Sequence, residues 1–415
     1  MKTMKTLTTL ILISLSLNTF SQKFICEAPY CLKLTDSIND TNSLNFKNIG
    51  EQLKNKKIIA LGESTHGTKE FFELKCELIK YLIENAGFNY VVFEASMRES
   101  DLLNDYVQMG VGDPKILVAR LGYWTWYTQE VIDLAIWMRE YNTTHSKKIY
   151  FKGFDFQSSE NSVSYLKSIE NELNQDLSEK VNLVLNVFKR INDLQLAGIY
   201  QLSQSLLDST SNYCQNLKEY INTNHSLLEN TLSDSLYRDL KINTELLWQY
   251  SIQSNSSIKP DKFRDSCMAQ NFNWLYNNNP DSKYIIWAHN GHIKSSDKAM
   301  GQYLKQAYND SIAIIGLTTS QGTYTAINGA KIDSNPLILP DSSNYEYYFE
   351  KFNADNFFLN LHKLPDDLTK YLILPNKLRE IGSMRREKQF SEYNVFKDLD
   401  MIIYLKKTSS SKVLY

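Results

Sequence analysis

Glu63 and His66 lie three residues apart in Gly62-Glu63-Ser64-Thr65-His66-Gly67, and His289 and His292 repeat that spacing in His289-Asn290-Gly291-His292. An imidazole oriented by a carboxylate can act as a general base, and a nearby cation can hold a developing oxyanion. Collected at one place, Glu63, His66, Glu94, His289, His292 and Lys75 would supply bases, orienting acids and cations. Acyl transfer to water uses all three. A serine mechanism has no Gly-x-Ser-x-Gly elbow to stand on, and Ser64 is expected to bond backbone or cap the following helix. The rival chemistry makes the two glutamates and three histidines ligands of zinc or manganese. It lacks a His-Glu-x-x-His spacing and would set Lys75 beside the metal, so no metal and no cofactor are expected. A non-catalytic cleft that holds a macrocycle or glycan is a third reading.

The elements that must position these groups follow from hydrophobic periodicity. Apolar runs at residues 57–61, 90–93, 148–151, 283–287, 311–317 and 401–405 alternate with segments of helical period. That alternation predicts an α/β fold, with a mostly parallel central sheet flanked by helices. Glu63 and His66 follow the first run, Glu94 the second, Asp155 the third and His289 the fourth. Open α/β sheets bind ligands beyond the carboxyl ends of their strands, so these residues are expected to converge. Asp155 has the alternative of capping the next helix. From about residue 160 to 255 the pattern is purely helical, which predicts a helical insertion or cap. Residues 69–85 form an amphipathic helix with Lys75 inside its apolar sector. A cation there either snorkels out or meets a buried anion, with Glu63 and Glu94 the candidates.

Bulk composition supports a globular chain of 415 residues, 42% hydrophobic and 22% charged, with formal net charge −2. Without a long basic run the chain lacks the electrostatic footprint of nucleic-acid binding, which leaves a small molecule as the expected partner. Lys2 and Lys5, an apolar stretch over residues 7–17 and a cut near Ser21 describe a secretory signal peptide. The mature chain, residues 22–415, is then read as one periplasmic or secreted domain without stable membrane insertion. In that oxidising setting Cys26 and Cys31 are close enough to pair, although spacing alone does not fix the pairing.

These motifs resemble the erythromycin esterase family, whose signature is a Gly-Glu-x-Thr-His-Gly loop, a glutamate ending the next strand and a late His-x-x-His. Further similarity runs through residues 124–130, 153–155, 264–269 and 379–382, which contain Trp124, Trp126, Asp155 and Arg264. The resemblance implies metal-free hydrolysis of the macrolactone ester of macrolide antibiotics, conferring resistance. It further implies His66 as general base supported by Glu63 and Glu94, with His289 and His292 matching residues needed for activity. Lys75 stands where better-studied members carry arginine, which keeps the charge but loses the planar fork. Tyr123, Trp124, Trp126 and Tyr127 either line an apolar cleft, with Asp155 and Arg264 also on the substrate side, or pack between cap and core.

Overall fold

A computed structural model describes residues 24–34 and 46–414. The expected signal peptide, residues 1–21, lies outside the described residues. Among the described residues eleven strands follow in chain order: β1 (Cys31–Lys33), β2 (Ile58–Leu61), β3 (Tyr90–Ser96), β4 (Tyr150–Asp155), β5 (Tyr284–Trp287), β6 (Ile312–Asn328), β7 (Lys331–Pro336), β8 (Asn356–Asn360), β9 (Lys377–Arg379), β10 (Phe390–Glu392) and β11 (Met401–Thr408). The main sheet runs β1-β8-β11-β6-β2-β5-β3-β4, with β7 pairing on β6 and β10-β9 as a separate ribbon. From β11 to β4 every neighbouring pair is parallel. β8, β1 and β7 join antiparallel at the margins. The expected α/β class and mostly parallel sheet are what the chain forms.

The central parallel strands β2 and β5 are apolar on both sides because helices cover both faces. In β2, Ile58 and Ala60 enter one core while Ile59 and Leu61 enter the other. The same split divides Tyr284 and Ile286 from Ile285 and Trp287 in β5. Strand limits differ from the apolar runs. β3 continues through a register irregularity after Phe93 to Ser96, so Glu94 is still within it. β4 begins at Tyr150 and ends on Asp155 itself. β6 extends to Asn328, and its polar second half pairs with β7. β1, β7, β8, β9 and β10 are too short or too polar to register as apolar runs.

Residues 160–254 contain the helices Glu160–Ile169, Gln175–Leu196, Gln204–Thr223, His225–Thr231 and Asp234–Ser254. Asn174, Ser203 and Ser233 cap three of them through side-chain oxygens, satisfying amides that a helix start leaves open. Their apolar faces close a separate cluster that includes Leu166, Val184, Leu217 and Leu240. Trp248 packs against both this cluster and the sheet core. Cys26 and Cys31 form a disulfide, and Cys76, Cys214 and Cys267 are buried thiols. Among the described residues no helix is long and apolar enough to cross a membrane.

Candidate active site

β5 follows β2 by more than two hundred residues in the chain but lies beside it, with Leu61 opposite Trp287. The parallel ladder continues past the strand ends: Ala288 N donates to Leu61 O at 3.1 Å and Asn290 N to Glu63 O at 2.9 Å. This stitching brings the His66 and His289 rings to 4.9 Å between centroids. Two glycines make the approach possible. A Cβ on Gly62 would lie 2.1 Å from Asn290 Oδ1, and one on Gly67 would lie 1.9 Å from the Thr325 carbonyl oxygen of β6. Asn290 cannot yield easily, since its amide donates to Leu317 O at 2.9 Å.

Glu63 is the hub of the first half of the site. Its Oε1 accepts from His66 Nδ1 at 2.9 Å, and its Oε2 from Lys75 Nζ at 2.8 Å and Trp287 Nε1 at 2.9 Å. Both Glu63 and Lys75 are almost completely buried. The lysine in the apolar sector therefore meets an anion and does not snorkel; Glu63, not Glu94, is that anion. Lys75 also donates to Leu61 O and lies 4.7 Å from the Trp287 ring centre. Burial pushes Lys75 down to about 8 against the pull of Glu63, which leaves it protonated at neutral pH. Burial alone would raise Glu63, but Lys75 and then His66 hold it below the usual carboxylate range. The pair is ionic.

The second half is built on Arg264, at the start of the helix Phe263–Asn278. Its Nε and Nη2 grip Asp155 at 3.2 and 2.7 Å, Nη2 also reaches Glu94 Oε1 at 2.7 Å, and Nη1 lies 3.1 Å from His292 Nε2. A guanidinium carries five N–H donors, so these contacts leave one for the cavity. Asp155 does not cap a helix; it buttresses Arg264. Glu94 does not bond His66 either. Its second oxygen accepts from the His289 amide at 3.0 Å, and its first lies 3.3 Å from His292 Nε2. Burial opposes the Glu94 charge, but His292 and Arg264 hold its carboxyl far below the usual range.

The three imidazoles are thereby differentiated. His289 Nδ1 accepts from Gly291 N and Nε2 lies 3.1 Å from Ile381 O, a pattern that fits one neutral tautomer. His292 Nδ1 is 2.8 Å from Asp265, a carboxylate that also accepts from Met300 N. Burial works against the His292 cation, but Glu94 and Asp265 outweigh it, so its pKa is raised. His66 Nδ1 is committed to Glu63, and its Nε2 has no hydrogen bond among the described residues. Sequence reasoning missed Asp265, Trp287 and Ile381 as site-builders. A carboxylate one residue from Arg264 was the only local signal available for any of them.

His66, Glu94, Arg264, His289 and His292 line one cavity of about 420 Å³, together with Tyr123, Thr125, Glu380 and Arg386. Trp124 is not part of the lining. Trp126 contributes to it but is 1% exposed and packs 4.8 Å from Phe93 and 5.9 Å from Trp287, so its ring is mainly core. The expectation for Ser64 is also corrected: its hydroxyl is buried without a partner, Thr68 precedes the helix, and only the Ser64 carbonyl is engaged, by Ile381 N at 2.7 Å. Among the described residues no group of three or more His, Cys, Asp or Glu side chains is arranged to hold a metal. His145, His225 and His362 are exposed and do not line the cavity.

Burial, reinforced by His66, pushes His289 from its ordinary 6.5 down to about 4. Between those values the unfolded chain binds a proton that the folded chain refuses, so stability falls as pH drops through that window. The full difference amounts to about 3 kcal/mol. Urea unfolding of His289→Gln should therefore lose much less stability between about pH 6.5 and 4.5 than the wild type does. His292 acts with the opposite sign, its contribution being complete below 6.5 and lost above its raised value. Equal slopes in mutant and wild type would show that His289 is not held neutral.

Known proteins share this architecture. A family model described as erythromycin esterase matches residues 83–408. Erythromycin esterase type II of Escherichia coli is 25% identical over 412 residues, covering 91% of this chain and 95% of that protein. The putative hydrolase YbfO of Bacillus subtilis is 24% identical, covering 91% and 90%. Among solved structures, a Bacillus cereus protein superposes with TM-score 0.77 at 24% identity, covering 93% of this chain and 97% of that one. A mutant of the erythromycin esterase EreC in its open conformation gives TM-score 0.76 at 16% identity, covering 92% and 99%. At these identities the structural likeness speaks for the fold.

Proposed function

Because the chain belongs to the erythromycin esterase family, whose members are hydrolases acting on ester bonds, we propose that it opens the lactone ester of a macrolide by water that His66 deprotonates. The observation that carries this reading is the His66 ring, whose Nδ1 is tied to Glu63 while Nε2 remains without a hydrogen bond at the cavity. A base oriented in this way presents one lone pair in a defined direction. His66 Nε2 takes a proton from water, the hydroxide adds to the ester carbonyl, and the tetrahedral intermediate collapses as the imidazolium returns the proton to the leaving alkoxide. The products are a carboxylic acid, which gives up its proton to solvent, and an alcohol, and for a lactone these are two ends of one opened chain. Glu63 stabilises the imidazolium, and Lys75 keeps Glu63 ionised. Arg264, which lines the cavity, is the cation available to the oxyanion, where a preorganised donor contributes about 3–4 kcal/mol.

His289 serves this reaction as a positioning residue, since both its nitrogens are engaged by backbone. The carboxylates of the site are also engaged, Glu63 with Lys75 and Glu94 with Arg264. A divalent ion would have to displace these cations, which favours the metal-free route. Incubating the protein with a panel of macrolides, simple lactones and aryl esters, each with and without chelator, tests the reading by mass spectrometry. The expected product is a macrolide heavier by one water, formed equally under both conditions. Turnover confined to simple esters would move the substrate away from macrolides, and turnover abolished by chelation would replace the histidine base with a metal.

A further inference from the structure

A second cavity of about 440 Å³ lies toward the opposite end of the same strands, lined in part by Tyr150, Trp274, Asn104, Asp105, Arg238 and Asp239. Tyr90 and Tyr150 open β3 and β4, whereas Glu94 and Asp155 stand near or at their far ends. At the rise of a strand the two cavities are separated by roughly 15 Å. We propose that this cavity is a saccharide-binding site for a neutral sugar.

The charges lining it cancel. Arg98 and Lys152 both engage Asp101, at 2.7 and 2.8 Å. Asp105, Arg238 and Asp239 make no ion pair among the described residues, and they leave three cations facing three carboxylates. No net field selects an ion. The uncharged groups are specific: Asn104 is 9% exposed, its Oδ1 accepts from Phe151 N at 3.2 Å, and its Nδ2 donates to none of the described residues. Tyr90 and Tyr150 stack at 4.7 Å with 24° between their planes, and Trp274 is half-buried beside them. A pyranose offers an apolar C–H face to flat rings and a girdle of hydroxyls that both donate and accept. The amide of Asn104, the two carboxylates and the fork of Arg238 match that girdle. An apolar ligand would strand these polar groups without partners, at a cost of about 1–3 kcal/mol each.

Saturation-transfer NMR and calorimetry with maltotriose, cellotriose and chitotriose, and with glucuronate as the anionic control, test the proposal on the full chain. At least one neutral trisaccharide should bind with a Kd of roughly 10 μM to 1 mM, and should bind His66→Ala equally well. Trp274→Ala should weaken that binding by about tenfold or more. The exposed Arg238→Ala removes donors without touching the core and should weaken it as well, so a fold defect in the first variant does not decide the matter. Silence from all three sugars, binding indifferent to both substitutions, or preference for glucuronate over them would overturn it.

Discussion

Replacing His66 by alanine should lower kcat for ester hydrolysis by about 10²–10⁴-fold, the range that a positioned general base contributes, with little change in KM. The expectation rests on the different fates of the three imidazoles. His289 has backbone on both nitrogens, and His292 lies between Asp265, Arg264 and Glu94. Only the His66 ring combines an orienting carboxylate on Nδ1 with an unengaged Nε2 among the described residues. The alanine variant should fold, because Glu63 keeps Lys75 and Trp287 as partners. Far-ultraviolet circular dichroism and the unfolding midpoint verify that part. Turnover equal to wild type in a folded variant would remove His66 as the base.

The second large effect concerns Lys75. Lys75→Met should destabilise the protein by about 3–5 kcal/mol, because removing one partner of a buried ion pair leaves the other charge uncompensated. Methionine matches the length of the lysine stem, so the loss reports charge more than cavity. Glu63 would relieve the strain by taking up a proton, which weakens its hold on the His66 imidazolium, and kcat should fall along with stability. Lys75→Arg restores the charge and should recover most of both. Denaturant unfolding of the two variants separates the cases: a methionine variant as stable as wild type would mean that the Glu63–Lys75 contact contributes nothing to folding.

The cluster around Glu63 shows how one lysine satisfies the carboxylate. A guanidinium would offer a planar fork to the carboxylate. Here Trp287 Nε1 and His66 Nδ1 already occupy the positions that a fork would fill, and one compact ammonium completes the set. The indole ring also lies 4.7 Å from Nζ, where its π face favours a cation. The glutamate thus reads charge on one side and orients a base on the other.

Much of this was legible in the order of residues. The apolar runs before Glu63 and His289 marked strand ends, because a strand buried on both faces must be apolar throughout and its first polar residues must fall at the margin, whereas the run before Glu94 stopped short of the end of its strand at Ser96. The helical period of residues 69–85 placed Lys75 in an apolar sector, where it had either to snorkel out or to meet an anion, and the structure supplies Glu63. Periodicity is local, however, and cannot say which strands are neighbours. That β5 inserts between β2 and β3 is a long-range pairing, and it alone set Trp287 against Glu63 and His289 against His66.

Composition and spacing by themselves determined the fold class, the place of Lys75 in an apolar helix sector and the acids and imidazoles that follow the apolar runs. Only the tertiary structure decided the division of labour: Asp155 and Glu94 on Arg264, Ile381 on His289, and His66 left with an unengaged nitrogen. The physical reason is that which residues end a strand follows from the chain's own periodicity. The partner each nitrogen meets depends on atoms contributed by segments as far as 224 residues away, as from Glu63 to Trp287.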